Sequence, residues 1–127
     1  MNSSIASMMQ TEVHSVDMDA TVAQLESLLN EHRLTWAPVL DDKGVVIGVV
    51  SAADLLQFHA QQRDPQAVRV WQLCTYKPIM VDPATPAREV ARQMVDERIH
   101  HVVVTDGRGI VGVVSSLDFV RRFGDAG

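Results

Sequence analysis

The sequence is poor in several features that define large classes of protein. It contains one cysteine, Cys74, so an internal disulfide is excluded and a reducing, cytoplasmic compartment is the simplest expectation. No apolar stretch approaches the roughly 20 residues that span a bilayer. Residues 1–7 lack the basic and apolar regions of a secretory signal. We therefore expect neither a membrane partner nor an exported, disulfide-bonded protein.

Basic residues are also scarce. The chain has 11 Lys and Arg against 16 Asp and Glu, and its formal net charge of −5 argues against nucleic-acid binding. The deficit lies in residues 1–63, whereas the remainder is balanced, so an anionic small molecule would meet less repulsion in the second half. The histidines and Cys74 show no metal-ligand spacing, and we expect no metal site.

What the chain does have is an internal repeat. Residues 48–54 read Gly-Val-Val-Ser-Ala-Ala-Asp, and residues 112–118 read Gly-Val-Val-Ser-Ser-Leu-Asp. A repeat of this period indicates two copies of one supersecondary unit. We place the first copy at residues 1–62, with a core of about 8–60, and the second at 63–127, with a core of about 70–123. One copy could barely bury a sheet alone, so the two are expected to pack sheet to sheet as one module.

Each copy is predicted to be a β-α-β-β-α unit, which makes the fold α/β (α+β by some conventions). Extended lead-ins at residues 12–16 and 76–81 precede amphipathic helices. Thr21 and Thr85 are credible N-caps of these helices, and Pro86 suits a first helical position.

Two strands joined by an Asp- and Gly-rich turn follow in each copy. The second strand is apolar at successive positions, which predicts burial of both its faces. A closing helix is predicted from residue 52 to about 60 and from 116 to about 123, with Leu117, Val120 and Phe123 as the apolar stripe of the second copy.

The repeated motif places a hydroxyl and a carboxylate where a strand runs into a helix. These are Ser51 with Asp54, and Ser115 with Asp118. Backbone N–H groups at a helix N-terminus attract phosphate, and a carboxylate there can accept both hydrogen bonds of a ribose diol. The same Ser-x-x-Asp pattern is also a capping box, which stabilises a helix with no ligand present. Both interpretations stay open at this point.

Residues 38–44, Pro-Val-Leu-Asp-Asp-Lys-Gly, followed by Gly-Val-Val-Ser-x-x-Asp, resemble the signature of the CBS domain, the cystathionine-β-synthase-type repeat. Two copies in tandem resemble a CBS pair, or Bateman module. The resemblance implies a sensor that binds AMP, ADP, ATP, NAD or S-adenosylmethionine in clefts between the repeats. It also implies that Asp54 and Asp118 hold ribose hydroxyls, and that Ser51 and Ser115 contact ribose or phosphate.

The resemblance adds further candidate site residues. His100 and His101 match basic residues that reach phosphate in relatives, and their adjacent places on a strand direct only one of them to the cleft. Ile79 and Met80 match positions whose backbone lines an adenine pocket, with core packing as the alternative for their side chains. Trp36, at the corresponding place in the first copy, is either a core residue or a ligand contact.

The resemblance implies a binding protein and not an enzyme. We expect a stand-alone homodimer, formed through exposed helices, that binds AMP, ADP, ATP or NAD, requires no other cofactor and regulates an unidentified partner protein. Two alternatives remain: a structural dimerisation module with no physiological ligand, and an S-adenosylmethionine binder. A minimal enzyme that uses the histidine pair and Cys74 would instead show slow nucleotide turnover.

Overall fold

The computed structural model describes residues 3–76 and 78–126, and this part of the chain forms four α-helices and seven β-strands. It divides into two compact units. The first unit is His14–Pro78, and the second unit joins residues 79–126 to the N-terminal residues 3–13. Each unit has its own sheet and its own buried core.

The first unit contains β1 (Val16–Asp17), α1 (Val22–His32), β2 (Trp36–Leu40), β3 (Val46–Ser51), α2 (Ala52–Ala60), a 3-10 turn (Val70–Gln72) and β4 (Thr75–Tyr76). The sheet order is β1-β2-β3-β4, with β1 parallel to β2 and the other pairs antiparallel. Its main core consists of small and branched side chains from the helix, the strands and the turn: Val16, Leu25, Leu29, Ala37, Val39, Val50, Val70 and Cys74.

The second unit contains β5 (Met80–Val81), α3 (Ala87–Glu97), β6 (His101–Thr105), β7 (Ile110–Ser115) and α4 (Ser116–Ala126). Here β5 is parallel to β6, and β6 is antiparallel to β7. The N-terminal segment completes the unit with a 3-10 turn at Ile5–Ser7 and an antiparallel bridge from Gln10 to Val113. These two features of the N-terminal segment correspond to the 3-10 turn and β4 of the first unit.

The predicted order of helices and strands is confirmed, but the lead-in of the second copy is not one extended segment. Tyr76 belongs to the sheet of the first unit, and Met80–Val81 belongs to the sheet of the second. Lys77, which the same prediction covers, lies outside the described residues. The repeat boundary at 62/63 and the sheet-to-sheet packing stay predictions.

The first helices of the two copies begin differently. Thr21 caps α1 through a capping box: its hydroxyl accepts from the Gln24 N–H at 3.1 Å, and the Gln24 side chain accepts from the Thr21 N–H at 2.9 Å. The N-cap of α3 is Pro86, which makes no side-chain cap. The predictions of Thr85 as an N-cap and of Pro86 as the first helical residue are therefore wrong.

The physical reason is a one-residue shift between the copies. The Thr85 carbonyl accepts from the N–H of Ile5 at 2.7 Å, just as the Ala20 carbonyl accepts from the N–H of Val70 at 2.9 Å. Thr85 therefore corresponds in structure to Ala20 and not to Thr21. Pairing the Ala-Thr dipeptides of the two copies by sequence hides this shift.

Replacing the two threonines tests the assignment of the caps. Thr21→Ala is expected to lower the free energy of unfolding by about 1 kcal/mol, because it removes a capping box. Thr85→Ala is expected to cost less than about 0.5 kcal/mol, because the contact that Thr85 makes to Ile5 uses its backbone carbonyl. Urea unfolding of both variants measures the difference, and equal costs would contradict the assignment.

The burial pattern of β3 also differs from the prediction. Val46, Gly48 and Val50 are buried, whereas the alternate residues Ile47 and Val49 are only half-buried. Alternate residues of a strand point to opposite faces, so one face of β3 is fully buried and the other is partly buried, with Ile47 packed against the core of the first unit. The prediction that both faces are buried is therefore met fully on one face and only partly on the other.

The apolar stripe of α4 is present but does not face the core. Phe119 is 5% exposed and packs in the core of the second unit. Leu117, Val120 and Phe123 are 52%, 62% and 57% exposed. The sequence predicts an amphipathic helix here. It does not predict which side of α4 faces the core, because that depends on the orientation of α4 relative to β7.

Candidate functional site

The Ser-x-x-Asp pattern of the first unit forms the start of α2. The Ser51 N–H and hydroxyl donate to Asp54 Oδ2 at 2.8 Å and 3.1 Å, and the Ser51 hydroxyl oxygen lies 3.4 Å from the Asp54 N–H. The capping interpretation is thus confirmed as a structural role. The recorded bonds use Oδ2 of the carboxylate, and among the described residues none donates to Oδ1.

The second unit repeats this arrangement with one addition. The Ser115 N–H donates to Asp118 Oδ2 at 2.8 Å, and the Asp118 N–H donates to the Ser115 hydroxyl at 3.4 Å. In addition, the Gln10 side-chain amide donates to Asp118 Oδ1 at 2.7 Å. Both oxygens of Asp118 therefore accept hydrogen bonds from this chain.

The residue across the sheet from each serine differs between the units. Trp36 is the register partner of Ser51, and His101 is the register partner of Ser115. Directly paired residues share a face of the sheet, with Cβ atoms about 5 Å apart. An indole and an imidazole thus occupy equivalent places beside the two serines. Trp36 is 9% exposed, which favours its core role, whereas His101 is half-buried.

His100 precedes β6, which begins at His101, so the prediction that the two histidines are adjacent residues of a strand is wrong. The Nδ1 of His100 is 3.2 Å from the hydroxyl oxygen of Ser116, and its carbonyl accepts from the Ser116 N–H at 3.0 Å. It lines a surface cavity between the end of α3 and the start of α4, together with Met94, Val95, Arg98, Ile99 and Ser116. Ser115 and Asp118 are not among these lining residues, so the structure groups His101, and not His100, with the motif.

Ile79 and Met80 contribute mainly backbone to the second unit. The Ile79 carbonyl accepts from the Val103 N–H at 3.0 Å, and the Ile79 side chain packs against the core. Met80 pairs with Val103 across the parallel strands, and its side chain is 48% exposed. The core-packing alternative therefore describes the side chain of Ile79, whereas the Met80 side chain is accessible.

The glycine of each motif lies where another segment crosses the strand closely. A Cβ built on Gly48 would lie 2.5 Å from the Thr75 carbonyl oxygen of β4. A Cβ built on Gly112 would lie 2.5 Å from Met9 Sδ and 3.0 Å from the Gln10 carbonyl oxygen. Both copies of the motif therefore have glycine at a place where a neighbouring segment approaches closely. This close approach brings Thr75 beside the motif of the first unit and Gln10 beside that of the second.

Gln10 is the site residue that sequence reasoning missed. The segment that carries it, residues 5–10, corresponds in structure to residues 70–75, but the two stretches read Ile-Ala-Ser-Met-Met-Gln and Val-Trp-Gln-Leu-Cys-Thr. They share apolar residues at the first, fourth and fifth positions and have no identical residue. So short a pattern does not mark residue 10 as equivalent to residue 75, which the pairing with β7 reveals.

Cys74 does not have the surroundings of a catalytic thiol. It is 8% exposed and packs in the core of the first unit. Burial raises the pKa of the Cys74 thiol, with a smaller opposing effect from the hydrogen bond to Tyr76. Because the thiolate is the nucleophilic form, a raised pKa leaves this side chain protonated and unreactive at neutral pH.

In the described part of the chain, His, Cys, Asp and Glu residues nowhere form a group of three that could hold a metal ion. None of its helices combines the length and apolar character needed to cross a bilayer.

The sequence matches a known protein family over both of its halves. A family model for the CBS domain matches residues 5–60 and again residues 70–125. CBS domain-containing protein YhcV of Bacillus subtilis is 26% identical over 117 residues, which cover 91% of this chain and 82% of that protein. An L-aspartate semialdehyde sulfurtransferase of Methanocaldococcus jannaschii is 28% identical over 105 residues, which cover 82% of this chain. This chain spans 20% of the length of the sulfurtransferase, so the match gives no reason to assign the activity of that enzyme to this chain.

Solved structures match over nearly the whole chain. A CBS domain pair crystallised with 5′-methylthioadenosine and S-adenosyl-L-methionine superimposes with a TM-score of 0.89 at 22% identity, and the match covers 100% of both chains. A hexameric CBS-CP12 protein from bloom-forming cyanobacteria superimposes with a TM-score of 0.87 at 25% identity, covering 96% of this chain and 72% of that one.

Proposed function

The chain belongs to the CBS domain family, and on that premise we propose that it is a regulatory protein that binds an adenosine-containing ligand. AMP, ADP, ATP and NAD are the proposed ligands, and a partner protein is the proposed target of the regulation. A ligand shifts such a partner only through a difference in affinity between two states of the complex. The proposal therefore concerns binding and not catalysis, and the raised pKa of the Cys74 thiol supports this.

One observation carries the proposal. Within the described part of the chain, the hydrogen bonds by which Asp54 holds the start of α2 end on Oδ2, so the cap leaves Oδ1 for a ligand. A carboxylate has lone pairs for about four hydrogen bonds. A ribose diol can donate both of its hydrogen bonds to Oδ1, which has two lone pairs, and the cap on Oδ2 can stay intact. The helix N-terminus beside it adds a favourable field for an anionic group of the same ligand.

The residues beside the motif favour different ligand groups in the two units. In the second unit, His101 offers an imidazole beside Ser115, and an imidazole can donate to a phosphate. In the first unit, Trp36 offers a buried indole beside Ser51 and no cation. We therefore propose that a phosphate contact is made in the second unit.

S-adenosylmethionine is a second candidate ligand of the same site. It shares the ribose diol that the carboxylates would hold. The support for it is a CBS domain pair of the same fold that was crystallised with this molecule and 5′-methylthioadenosine.

A structural module without a physiological ligand is the competing function. It is favoured by the capping roles of both carboxylates and by the hydrogen bond from Gln10 to Asp118. A thermal-shift screen with AMP, ATP, NAD and S-adenosylmethionine separates the two functions. A ligand at 100 times its dissociation constant adds about 2.7 kcal/mol to the free energy of unfolding, whereas the structural module predicts no shift with any of the four.

We also propose that the protein is a homodimer formed through its helices. The support is apolar surface on α4, where Leu117, Val120 and Phe123 are all more than half exposed, and on α3, where Val95 is 76% exposed. Large apolar patches on a protein surface mark interaction sites. The related CBS-CP12 protein is described as hexameric.

A charge on this stripe is expected to separate the subunits. Val120→Asp places a carboxylate in the proposed interface and should convert the dimer to monomer, with little effect on the fold because Val120 is 62% exposed. Arg121→Asp, the adjacent exposed position on the same helix, is the control and should remain dimeric. Light scattering after size-exclusion chromatography measures the mass, and a Val120→Asp variant that stays dimeric would exclude this interface.

A further inference from the structure

The side chain of Gln10 is held against Asp118 by the backbone of its own segment. The N–H of Gln10 donates to the Val113 carbonyl at 2.9 Å, and the N–H of Val113 donates back to the Gln10 carbonyl at 2.9 Å. This pair of bonds fixes residue 10 beside Val113 of β7, and Asp118 follows at the start of α4. From there the Gln10 amide reaches Asp118 Oδ1 at 2.7 Å.

The corresponding residue of the first unit cannot make this contact. Thr75 pairs with Val49 in β3 as Gln10 pairs with Val113 in β7. The hydroxyl of a threonine is one bond from Cβ, whereas the amide nitrogen of a glutamine is three bonds away. Among the described residues, the hydrogen bonds to the Asp54 carboxylate come from Ser51 and end on Oδ2.

We propose that Gln10 occupies the place of a ligand hydroxyl at Asp118 and so makes the two carboxylates unequal in affinity. This inference rests on the proposed function. An amide nitrogen at 2.7 Å uses one of the two lone pairs of Asp118 Oδ1, whereas no described residue donates to Asp54 Oδ1. A ligand that donates both hydroxyls to Oδ1 must displace Gln10 at Asp118, but it meets no competing donor from the described residues at Asp54 Oδ1. The first ligand therefore binds at Asp54.

The expected size of the effect follows from the cost of one exposed hydrogen bond. A typical intramolecular hydrogen bond corresponds to about a 3- to 10-fold change in an equilibrium constant. Removing the Gln10 amide should therefore tighten ligand binding at Asp118 by about 3- to 10-fold. Removing the Thr75 hydroxyl should leave binding at Asp54 unchanged.

Calorimetric titration of full-length variants with AMP tests this inference. Asp54→Ala leaves Asp118 as the carboxylate site, and adding Gln10→Ala or Gln10→Thr should tighten AMP binding by about 3- to 10-fold. Asp118→Ala with and without Thr75→Ala is the matched control and should show equal affinities. Asp54→Asn replaces Asp54→Ala if circular dichroism shows that the alanine variant is unfolded.

Each outcome separates the inference from the proposed function. AMP binding that requires Asp118 but is unchanged or weakened by Gln10→Ala overturns the role of Gln10 and leaves the proposed function standing. A second result would also overturn the role of Gln10. In it, AMP binds at Asp54, but variants with Asp54→Ala bind no AMP whether residue 10 is glutamine, alanine or threonine. A wild-type chain that binds neither AMP nor ATP, NAD and S-adenosylmethionine overturns both.

Discussion

Replacing Asp54 by alanine is expected to weaken binding of an adenosine nucleotide to the first unit by about 100-fold. A ribose diol would donate two hydrogen bonds to this carboxylate, and each bond to a charged group contributes about 1.5–3 kcal/mol. Half-burial of Asp54 reduces these values through solvent screening, so we expect a combined loss of about 3 kcal/mol, which is about 100-fold in affinity.

The experiment has to distinguish a lost ligand contact from a lost cap, because Asp54 performs both roles. Thr21→Ala is the control: it removes the capping box of α1 in the same unit without changing a carboxylate. Calorimetric titration should show nearly unchanged affinity for Thr21→Ala and the large loss for Asp54→Ala. Equal affinities for the wild-type chain and Asp54→Ala would assign this carboxylate to the cap alone.

The largest expected effect on stability comes from adding a methyl group at Gly48. The new Cβ would lie 2.5 Å from the Thr75 carbonyl oxygen and 3.2 Å from Cys74 Sγ. A backbone oxygen of a paired strand can move only if the pairing of β3 with β4 is distorted. Overpacking of this kind costs about 1–3 kcal/mol, and we expect Gly48→Ala to reach the upper end of that range.

Gly112→Ala is the internal comparison, because the closest atom there belongs to a flexible side chain. The Met9 thioether, 2.5 Å from the new Cβ, can rotate away, and the nearest backbone atom is the Gln10 carbonyl oxygen at 3.0 Å. We expect a cost of about 1 kcal/mol. Urea unfolding of the two variants measures both costs, and a Gly112→Ala variant that loses as much stability as Gly48→Ala would contradict the argument.

The parts of the fold that sequence predicted well are those that local chemistry determines. The Ser-x-x-Asp motif places Ser51 and Asp54 at a helix start because hydroxyl and carboxylate cap the first N–H groups of α2. The strand pairs follow from short apolar runs on either side of an Asp- and Gly-rich turn. The family assignment followed from the duplication of these local patterns.

The parts that sequence did not predict depend on contacts between distant segments. Thr85 is not a cap, because its carbonyl is bonded to Ile5, and that bond fixes a register one residue away from the one the sequence suggests. Gln10 reaches Asp118 across 108 residues of chain, and no local pattern points to it. The two histidines were predicted to be adjacent on a strand, but β6 begins at His101, and only the pairing with Ser115 shows that His101 is the one beside the motif.

These differences give the duplicated motif two chemical settings. The first unit offers Asp54, whose Oδ1 accepts no hydrogen bond from the described residues, beside a buried indole. The second unit offers a carboxylate already bonded to Gln10, beside His101. We therefore expect two binding events of different affinity from two nearly identical stretches of sequence.

The central claim is that the motif carboxylates hold a ribose diol, and the most direct test varies that diol. Full-length protein is titrated calorimetrically with AMP, ATP or NAD, whichever stabilises it most, and then with the 2′,3′-dideoxy form of the same nucleotide. We expect the dideoxy form to bind about 100-fold more weakly, because two hydrogen bonds to a carboxylate are lost. Equal affinities for the two forms would contradict the role of the carboxylates in holding the diol.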